Sequence, residues 1–216
     1  LDALISAATA LPEPGNGMHL APLGQRIAIA RDIAFSFAYP HLLQGWRKQG
    51  AELSFFSPLK DEAPDPDCDA IYLPGGYPEL HGESLSRASH FAAAMRAQAR
   101  SGKLIYGECG GYMVLGDAII DAGGTPHEML GLLKVKTSFA ARKLNLGYRR
   151  LSPLVGAPWN ATLMGHEFHY SSVVSETGGD RLFEVTDAFG EKLAPMGLRS
   201  GSVCGSYAHV IGPAFS

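Results

Sequence analysis

Apolar residues in the first half of this chain fall alternately in short unbroken runs and on helical stripes, and that alternation sets the expected architecture. Arg26 to Arg31 (RIAIAR) reads as a short buried strand, and Ala38 to Gln49 carries Leu42, Leu43 and Trp46 at helical spacing before stopping at Gly50. Glu52 to Phe56 and Ala70 to Leu73 (AIYL) are the next strands, separated by the acidic, proline-containing loop Asp61 to Asp67. Ser84 to Arg100 repeats Leu85, Ala88, Ala92, Met95 and Ala99 on one face and ends at Gly102, as a helix does. Lys103 to Tyr106 (KLIY) is the fourth strand. Strands this short and apolar need cover on both faces, so the pattern predicts an α/β fold with a doubly wound, mostly parallel sheet of flavodoxin-like type. Ligands then gather at the carboxyl ends of the strands. Beyond Gly116 the chain turns to segments rich in β-formers, Leu132 to Phe139, Gly147 to Leu151, Thr162 to Val174, Arg181 to Thr186 and Ser202 to Tyr207. These predict an antiparallel extension in the second half.

The stretch before Arg26 holds Pro12, Pro14, Gly15, Gly17, Pro22 and Gly24, a density of breakers that fits a linker. Residues 1–25 are therefore expected to connect an upstream domain to a folded unit spanning 26–216, and a first residue of Leu1 rather than Met agrees with that. The 216 residues suffice for one substantial core, and only 18% are charged, against roughly 25% in typical soluble domains. A net charge of −3 leaves no basic surplus for a polyanion, which removes nucleic acid and anionic membrane surfaces as first choices of partner. No apolar run approaches the ~20 residues of a membrane span and no signal-peptide pattern opens the chain, so a cytoplasmic location is expected. Cys68, Cys109 and Cys204, an odd number at scattered spacing, suit neither a disulfide framework nor a zinc site.

The candidate chemistry sits where strands one, three and four end. Gly107-Glu108-Cys109-Gly110-Gly111 runs from a strand into the apolar Tyr112-Met113-Val114-Leu115, the nucleophile-elbow arrangement with cysteine in place of serine. That turn demands small neighbours and sets the thiol at a helix N-terminus, where partial positive charge favours the thiolate. The Gly110 N–H points where an oxyanion forms, and Gly75-Gly76, followed by Tyr77, offers a second donor and a close backbone approach to a small substrate. The plainer reading makes Cys109 a core cysteine beside glycines that only close a βα turn. The pairing of this elbow with Pro74-Gly75-Gly76-Tyr77-Pro78-Glu79 on the neighbouring strand favours chemistry. A thiol needs a base, and His209, just after the last expected strand, is the best placed of eight histidines. Gly165-His166-Glu167-Phe168-His169 is not a zinc helix motif, and on a strand His166 and His169 face opposite ways, so no metal is expected.

Four spaced motifs carry a resemblance: Gly-Glu-Cys-Gly-Gly-Tyr-Met at 107 to 113, Leu-Pro-Gly-Gly-Tyr-Pro-Glu-Leu at 73 to 80, Arg-Asp-Ile-Ala-Phe-Ser-Phe at 31 to 37, and Gly-His-Glu-Phe-His-Tyr-Ser at 165 to 171. Together they resemble the glutamine amidotransferase domain of the cobyrinic (or hydrogenobyrinic) acid a,c-diamide synthases, within the class I-like triad amidotransferases. The resemblance implies that Cys109 attacks the side-chain amide of glutamine, that His209 is its base, and that the released ammonia passes to an N-terminal synthetase domain of the same polypeptide. That domain amidates the a and c acetates of a corrinoid with ATP and Mg²⁺, whereas this domain itself needs no cofactor. No G-x-x-x-x-G-K-[ST] occurs here, since Gly102-Lys103 is followed by Leu104. A homodimer is left open.

Two points depart from, or add to, the family pattern. Many triad amidotransferases carry an acid two residues after the histidine, and here that residue is Ile211. Asp32, at the end of strand one, is the candidate orienting acid, with a turn cap for Ala34-Phe35-Ser36 as its alternative. Glu167 and His169 are expected to shape the glutamine pocket or the contact with the synthetase domain. The basic run Lys134, Lys136, Arg142, Lys143, Arg149 and Arg150 forms a solvated face or meets the corrinoid carboxylates. Competing clients are cobyric acid synthase and a cell-wall precursor amidating enzyme, and a non-catalytic interaction module is the competing class.

Overall fold

The structure, a computed structural model, describes residues 19–214. Strand β1 (Arg26–Ala30), helix α1 (Pro40–Lys48), β2 (Glu52–Phe56), β3 (Ala70–Leu73), helices α2 (Gly82–Arg87) and α3 (Ser89–Arg100), β4 (Leu104–Glu108) and helix α4 (Gly110–Leu115) make up the first half. The second half is built from β5 (Ala118–Ile120), β6 (Pro126–Glu128), β7 (Lys134–Ser138), β8 (Asn145–Pro153), β9 (Leu163–His169), β10 (Ser172–Thr177), β11 (Asp180–Thr186), β12 (Lys192–Ser200), β13 (Val203–Ser206) and β14 (His209–Pro213).

Ten strands form one mixed sheet in the order β14-β9-β8-β11-β12-β13-β4-β3-β1-β2, and β10-β7-β5-β6 form a smaller one. The run β2-β1-β3-β4-β13 is parallel throughout, and the pairings from β13 out to β14 are antiparallel. Alternate residues of each central strand serve opposite faces. Ile27, Ile29, Tyr72 and Tyr106 pack with Leu42 and Trp46 of α1 on one side. Ala28, Ile71, Leu73 and Ile105 pack with Phe91 and Met95 of α3 and with all of Tyr112 to Leu115 on the other. Each such buried side chain contributes about 1.5–3 kcal/mol of transfer free energy, and cover on both faces is the doubly wound arrangement that the apolar runs predict.

Three expectations need correction. The Ser202 to Tyr207 strand belongs only in part to the antiparallel extension: β13 pairs antiparallel with β12 but parallel with β4, with Val203 opposite Ile105 and Ser206 opposite Glu108. The single helix over Ser84 to Arg100 is two helices broken at Ala88, where ψ is 75°, and Asp61 Oδ1 accepts the Phe91 N–H at 2.7 Å to cap the second. Tyr170-Ser171 likewise splits the expected Thr162 to Val174 strand, sending β10 to the smaller sheet. The expected linker 1–25 lies outside the described residues as far as residue 18. Beyond that point Leu20 is buried and Trp159 Nε1 donates to the Ala21 carbonyl at 2.8 Å, so residues 19–25 pack on the domain.

Close approach of α4 to β3 fixes the centre of the fold. A Cβ on Gly111 would stand 2.0 Å from the Leu73 carbonyl oxygen, a backbone atom that cannot yield. Gly111→Ala should therefore lower stability by about 3 kcal/mol in urea unfolding, against less than about 0.5 kcal/mol for Gly212→Ala, whose Cβ meets nothing within 4 Å.

Candidate active site

Three chain segments converge at the carboxyl ends of adjacent parallel strands: residues 74–79 after β3, 109–111 after β4, and 206–209 after β13. Cys109 is the hinge of the middle one, with φ 46° and ψ −104°, a conformation that costs a non-glycine residue about 1–3 kcal/mol. It is clamped on both sides. The Cys109 N–H donates to the Ser206 carbonyl at 2.8 Å, and the Cys109 carbonyl accepts the Met113 N–H of α4 at 3.0 Å. The thiol faces a cleft of about 340 Å³ of atom-free space, open mouth included, lined by Phe37, Gly76, Tyr77, Glu79, Met113, Phe139, Phe168, His169 and Tyr170. Its sulfur lies 3.9 Å from the Phe168 carbonyl.

The expected site residues adjoin one another through the Gly75-Gly76 turn, with one exception, and His209 meets the cleft across Gly75 rather than lining it. Gly110 sits against Gly76, where a Cβ on Gly110 would be 3.0 Å from the Gly76 nitrogen, so the two proposed donors adjoin each other beside the thiol. The His209 imidazole abuts Gly75, and a Cβ there would lie 2.3 Å from its Cε1, so only glycine leaves room for the ring. Tyr77 packs edge-on against Phe37 at 4.9 Å, and the Phe37 N–H donates to the Gly75 carbonyl. His209 does not follow a final strand but opens one. It heads β14 opposite His166, and the two rings stack at 4.9 Å with an 8° tilt. Asp32 is the exception. Its Oδ1 accepts the Ala34 N–H and its Oδ2 accepts the Ser57 hydroxyl and the Leu59 N–H, all at 2.9 Å, and no hydrogen bond joins it to His209. The turn-cap alternative describes it.

His166 and His169 do point to opposite sides of β9. His169 lines the thiol cleft, stacks on Tyr207 at 3.8 Å, and meets Ser171 through Nδ1 and Glu167 Oε1 through Nε2 at 3.2 Å. Arg149 Nε donates to the other Glu167 oxygen at 2.6 Å. Burial pushes the Glu167 carboxyl up, but the His169 and Arg149 contacts outweigh it and hold it below its usual range. The basic run is thus divided. Arg149 belongs to this network and Lys134 to Asp117. Among the described residues no cluster of three or more His, Cys, Asp or Glu is arranged to hold a metal ion.

Residues 26–214 match the CobB/CobQ-like glutamine amidotransferase domain. The chain belongs to this family. It is 62% identical over 196 residues to a hydrogenobyrinate a,c-diamide synthase of Brucella abortus, covering 91% of this chain and 45% of that protein. It is 56% identical over 211 residues to the Rhizobium meliloti protein of the same name, covering 98% and 49%. The chain thus spans about half the length of the curated relatives it matches. Among solved structures it shares its fold with PurLQS from Thermotoga maritima (TM-score 0.57, 16% identity, 86% and 87% of the two chains). A glutamine amidotransferase from the same organism gives a TM-score of 0.54 at 14% identity, covering 85% and 75%.

Two features of this amidotransferase domain were not evident from spacing. The first is Glu108, beside Cys109 but facing the other way. Its carboxyl is 1% exposed and takes three donors: Tyr72 OH at 2.7 Å on Oε2, and Tyr106 OH at 3.2 Å and the Val210 N–H at 3.1 Å on Oε1. It ties the strand that carries the thiol to the strand that carries His209. Tyr72, Tyr106 and Glu108 do alternate on expected neighbouring strands, which is the signal available in the sequence. Burial raises Glu108 to about 7, against the three hydrogen bonds.

The second is the charge state of the pair. Burial pushes the Cys109 thiol up to about 12, opposed by the Gly110 N–H and reinforced by Glu79, Glu108 and Glu167. Burial also drives His209 down to about 4, aided by His166 and His169. The expectation of a thiolate at a helix N-terminus is corrected here, because a six-residue helix offers about 0.3–1 kcal/mol while full burial moves a group by up to 3–5 pKa units. Both shifts favour the neutral form of the group. Alkylation of Cys109 by iodoacetamide should accordingly run at least about tenfold slower at pH 7.5 than for an exposed cysteine and keep rising beyond pH 9. A plateau between pH 6 and 8 would show a thiolate–imidazolium pair instead.

Glu108 and His209 also enter stability with opposite signs. The folded-state value of Glu108 is raised, so its contribution is full below the unfolded value near 4.5 and is lost as pH climbs through about 7. That of His209 is depressed, so its contribution is present above about 6.5 and is lost as pH falls toward about 4. The stability of wild type relative to Glu108→Gln should therefore fall by on the order of 3 kcal/mol between pH 4.5 and 7.5. Denaturant titrations of both proteins at the two pH values measure it.

Proposed function

We propose that this domain hydrolyses glutamine through Cys109 and delivers the ammonia to the synthetase part of a hydrogenobyrinate a,c-diamide synthase. The observation that carries the reading is the strained Cys109 turn, which opens beside the Gly76 and Gly110 amides into a cleft. The sulfur attacks the side-chain carbonyl carbon of glutamine while His209 takes the thiol proton. The carbonyl oxygen becomes an oxyanion, and the N–H groups of Gly76 and Gly110 stabilise it. His209 returns the proton to the departing nitrogen, the C–N bond breaks, and ammonia leaves a glutamyl thioester. Water, deprotonated by the same imidazole, then attacks the thioester and releases glutamate and the thiol.

Two neutral partners suit this sequence of steps. A base that is unprotonated at neutral pH is available for each proton, and a buried thiol is protected from alkylation and oxidation between turnovers. The His209 ring is held by stacking on His166 and by the snug fit over Gly75, with no carboxylate hydrogen-bonded to it, so the pair acts as a Cys–His dyad within this domain. ATP and Mg²⁺ belong to the synthetase part, and no residue of this chain is assigned to them. The choice of client rests on the extent of identity to the diamide synthases of Brucella abortus and Rhizobium meliloti.

The experiment compares two nitrogen donors on the full-length polypeptide. Cys109→Ala should lower glutamine hydrolysis and glutamine-dependent amidation of hydrogenobyrinate on the order of 10³-fold while ammonium salts still support amidation. Retained glutamine-dependent turnover in that variant would remove Cys109 from the reaction. Failure of ammonium to support amidation of hydrogenobyrinate by the wild type would remove the client.

A further inference from the structure

The cleft over Cys109 contains one acid that the fold leaves unused. Glu79 follows the Gly75-Gly76 turn on the short 3₁₀ turn Pro78–His81 and lines the cleft wall. Its Oε2 is buried and has no hydrogen-bond partner. A buried acceptor without a donor is an expense that native structures rarely carry without a reason. The donors that share the lining, the Tyr77 and Tyr170 hydroxyls and the Cys109 thiol, make no hydrogen bond to that oxygen. Phe37, Met113, Phe139 and Phe168 present hydrocarbon, and both ring nitrogens of His169 are engaged by Ser171 and Glu167. The Glu79 carboxyl is relieved in part by its own backbone N–H, and Arg142 acts on it only as a favourable charge, its guanidinium held 4.8 Å over the Tyr170 ring.

The proposed substrate brings the missing donor. Glutamine has two polar ends, an amide to be placed at the sulfur and a zwitterionic head that carries an α-ammonium. A pocket that holds the amide at Cys109 must receive that ammonium on an acceptor elsewhere in the same cleft, or bury it unpaired. We propose that Glu79 binds the α-ammonium of glutamine and thereby selects an α-amino acid amide over amides that lack the amino group. Glu79 is a binding residue in this reading, and it rests on the assignment of glutamine as the substrate. Burial pushes the carboxyl of Glu79 up, and a bound ammonium, like Arg142, works against that shift.

The test uses two amides on the full-length polypeptide: glutamine, and glutaramate, which is glutamine without its α-amino group. In the wild type, kcat/KM for glutamine should exceed that for glutaramate by about thirtyfold or more, because the analogue leaves the Glu79 oxygen unpaired. In Glu79→Gln that ratio should fall toward about one, with the loss for glutamine carried mainly by KM. Glu79→Asp, which keeps the charge, should retain most of the ratio. Each ratio is taken within one preparation, so partial misfolding cancels. A ratio that is the same in wild type and Glu79→Gln would overturn the assignment of Glu79 and leave the glutaminase intact. A wild type that hydrolyses neither amide would overturn the glutaminase reading and this inference with it.

Discussion

The packing of three bare backbones around Cys109 governs the site. Cys109 holds an unfavourable φ/ψ pair only because β13 takes its N–H and α4 takes its carbonyl, while Gly111 lets α4 rest directly on the Leu73 carbonyl. The same contacts make β4 a central strand, flanked by β3 with its Gly75-Gly76 turn and by β13 leading to His209. In a parallel arrangement all three strands end at one edge of the sheet, so every polar group of the proposed reaction emerges within one crevice. A side chain at residue 111 would push α4 off β3, and one at residue 75 would expel the imidazole.

How much of this was legible follows from the periods of the elements. β1, β3 and β4 are short, apolar and buried on both faces, the edge strand β2 is only partly covered, and the limits of all four agree with the apolar runs to within two residues. Their carboxyl ends therefore located Cys109 and Gly75-Gly76 from sequence alone. The second half was harder. β12 contains Ala194, Pro195 and Gly197, which break the alternation that marks a strand, and β14 contains Gly212 and Pro213. β13 is buried at all four residues like the parallel strands, yet its place between β4 and β12 is a long-range pairing that local pattern does not encode. Asp32 stays ambiguous in sequence for a related reason. A carboxylate at a strand end is equally suited to capping a turn, and the approach of Ser57 and Leu59 decides which it does.

Burial explains why the chemical groups behave differently from their sequence context. The sequence places a thiol at a helix start and suggests a thiolate, whereas the fold surrounds that thiol with Phe168, Met113 and the β4 backbone and withholds water. Desolvation acts on both members of the pair in the same sense, toward neutrality. A neutral pair needs no counter-charge at rest, which accounts for His209 being held by shape, against Gly75 and His166, rather than by a carboxylate. Glu108 contributes from the far side of β4 by a different route, through the backbone of Val210, so its effect on His209 is positional.

Glu79 connects recognition to reactivity. It is the first of the carboxylates whose negative charge holds the Cys109 thiol up, ahead of Glu108 and Glu167. In the proposed complex the α-ammonium on Glu79 cancels that charge as the amide arrives over the sulfur. The thiol then loses one of the influences that keep it protonated, just when His209 has a reason to accept its proton. On the proposed contact, an amide without an α-ammonium would fill the same space but leave the Glu79 charge uncancelled. In that proposal, selectivity for an amino-acid amide and restraint of the nucleophile both trace to one buried oxygen beside a buried sulfur.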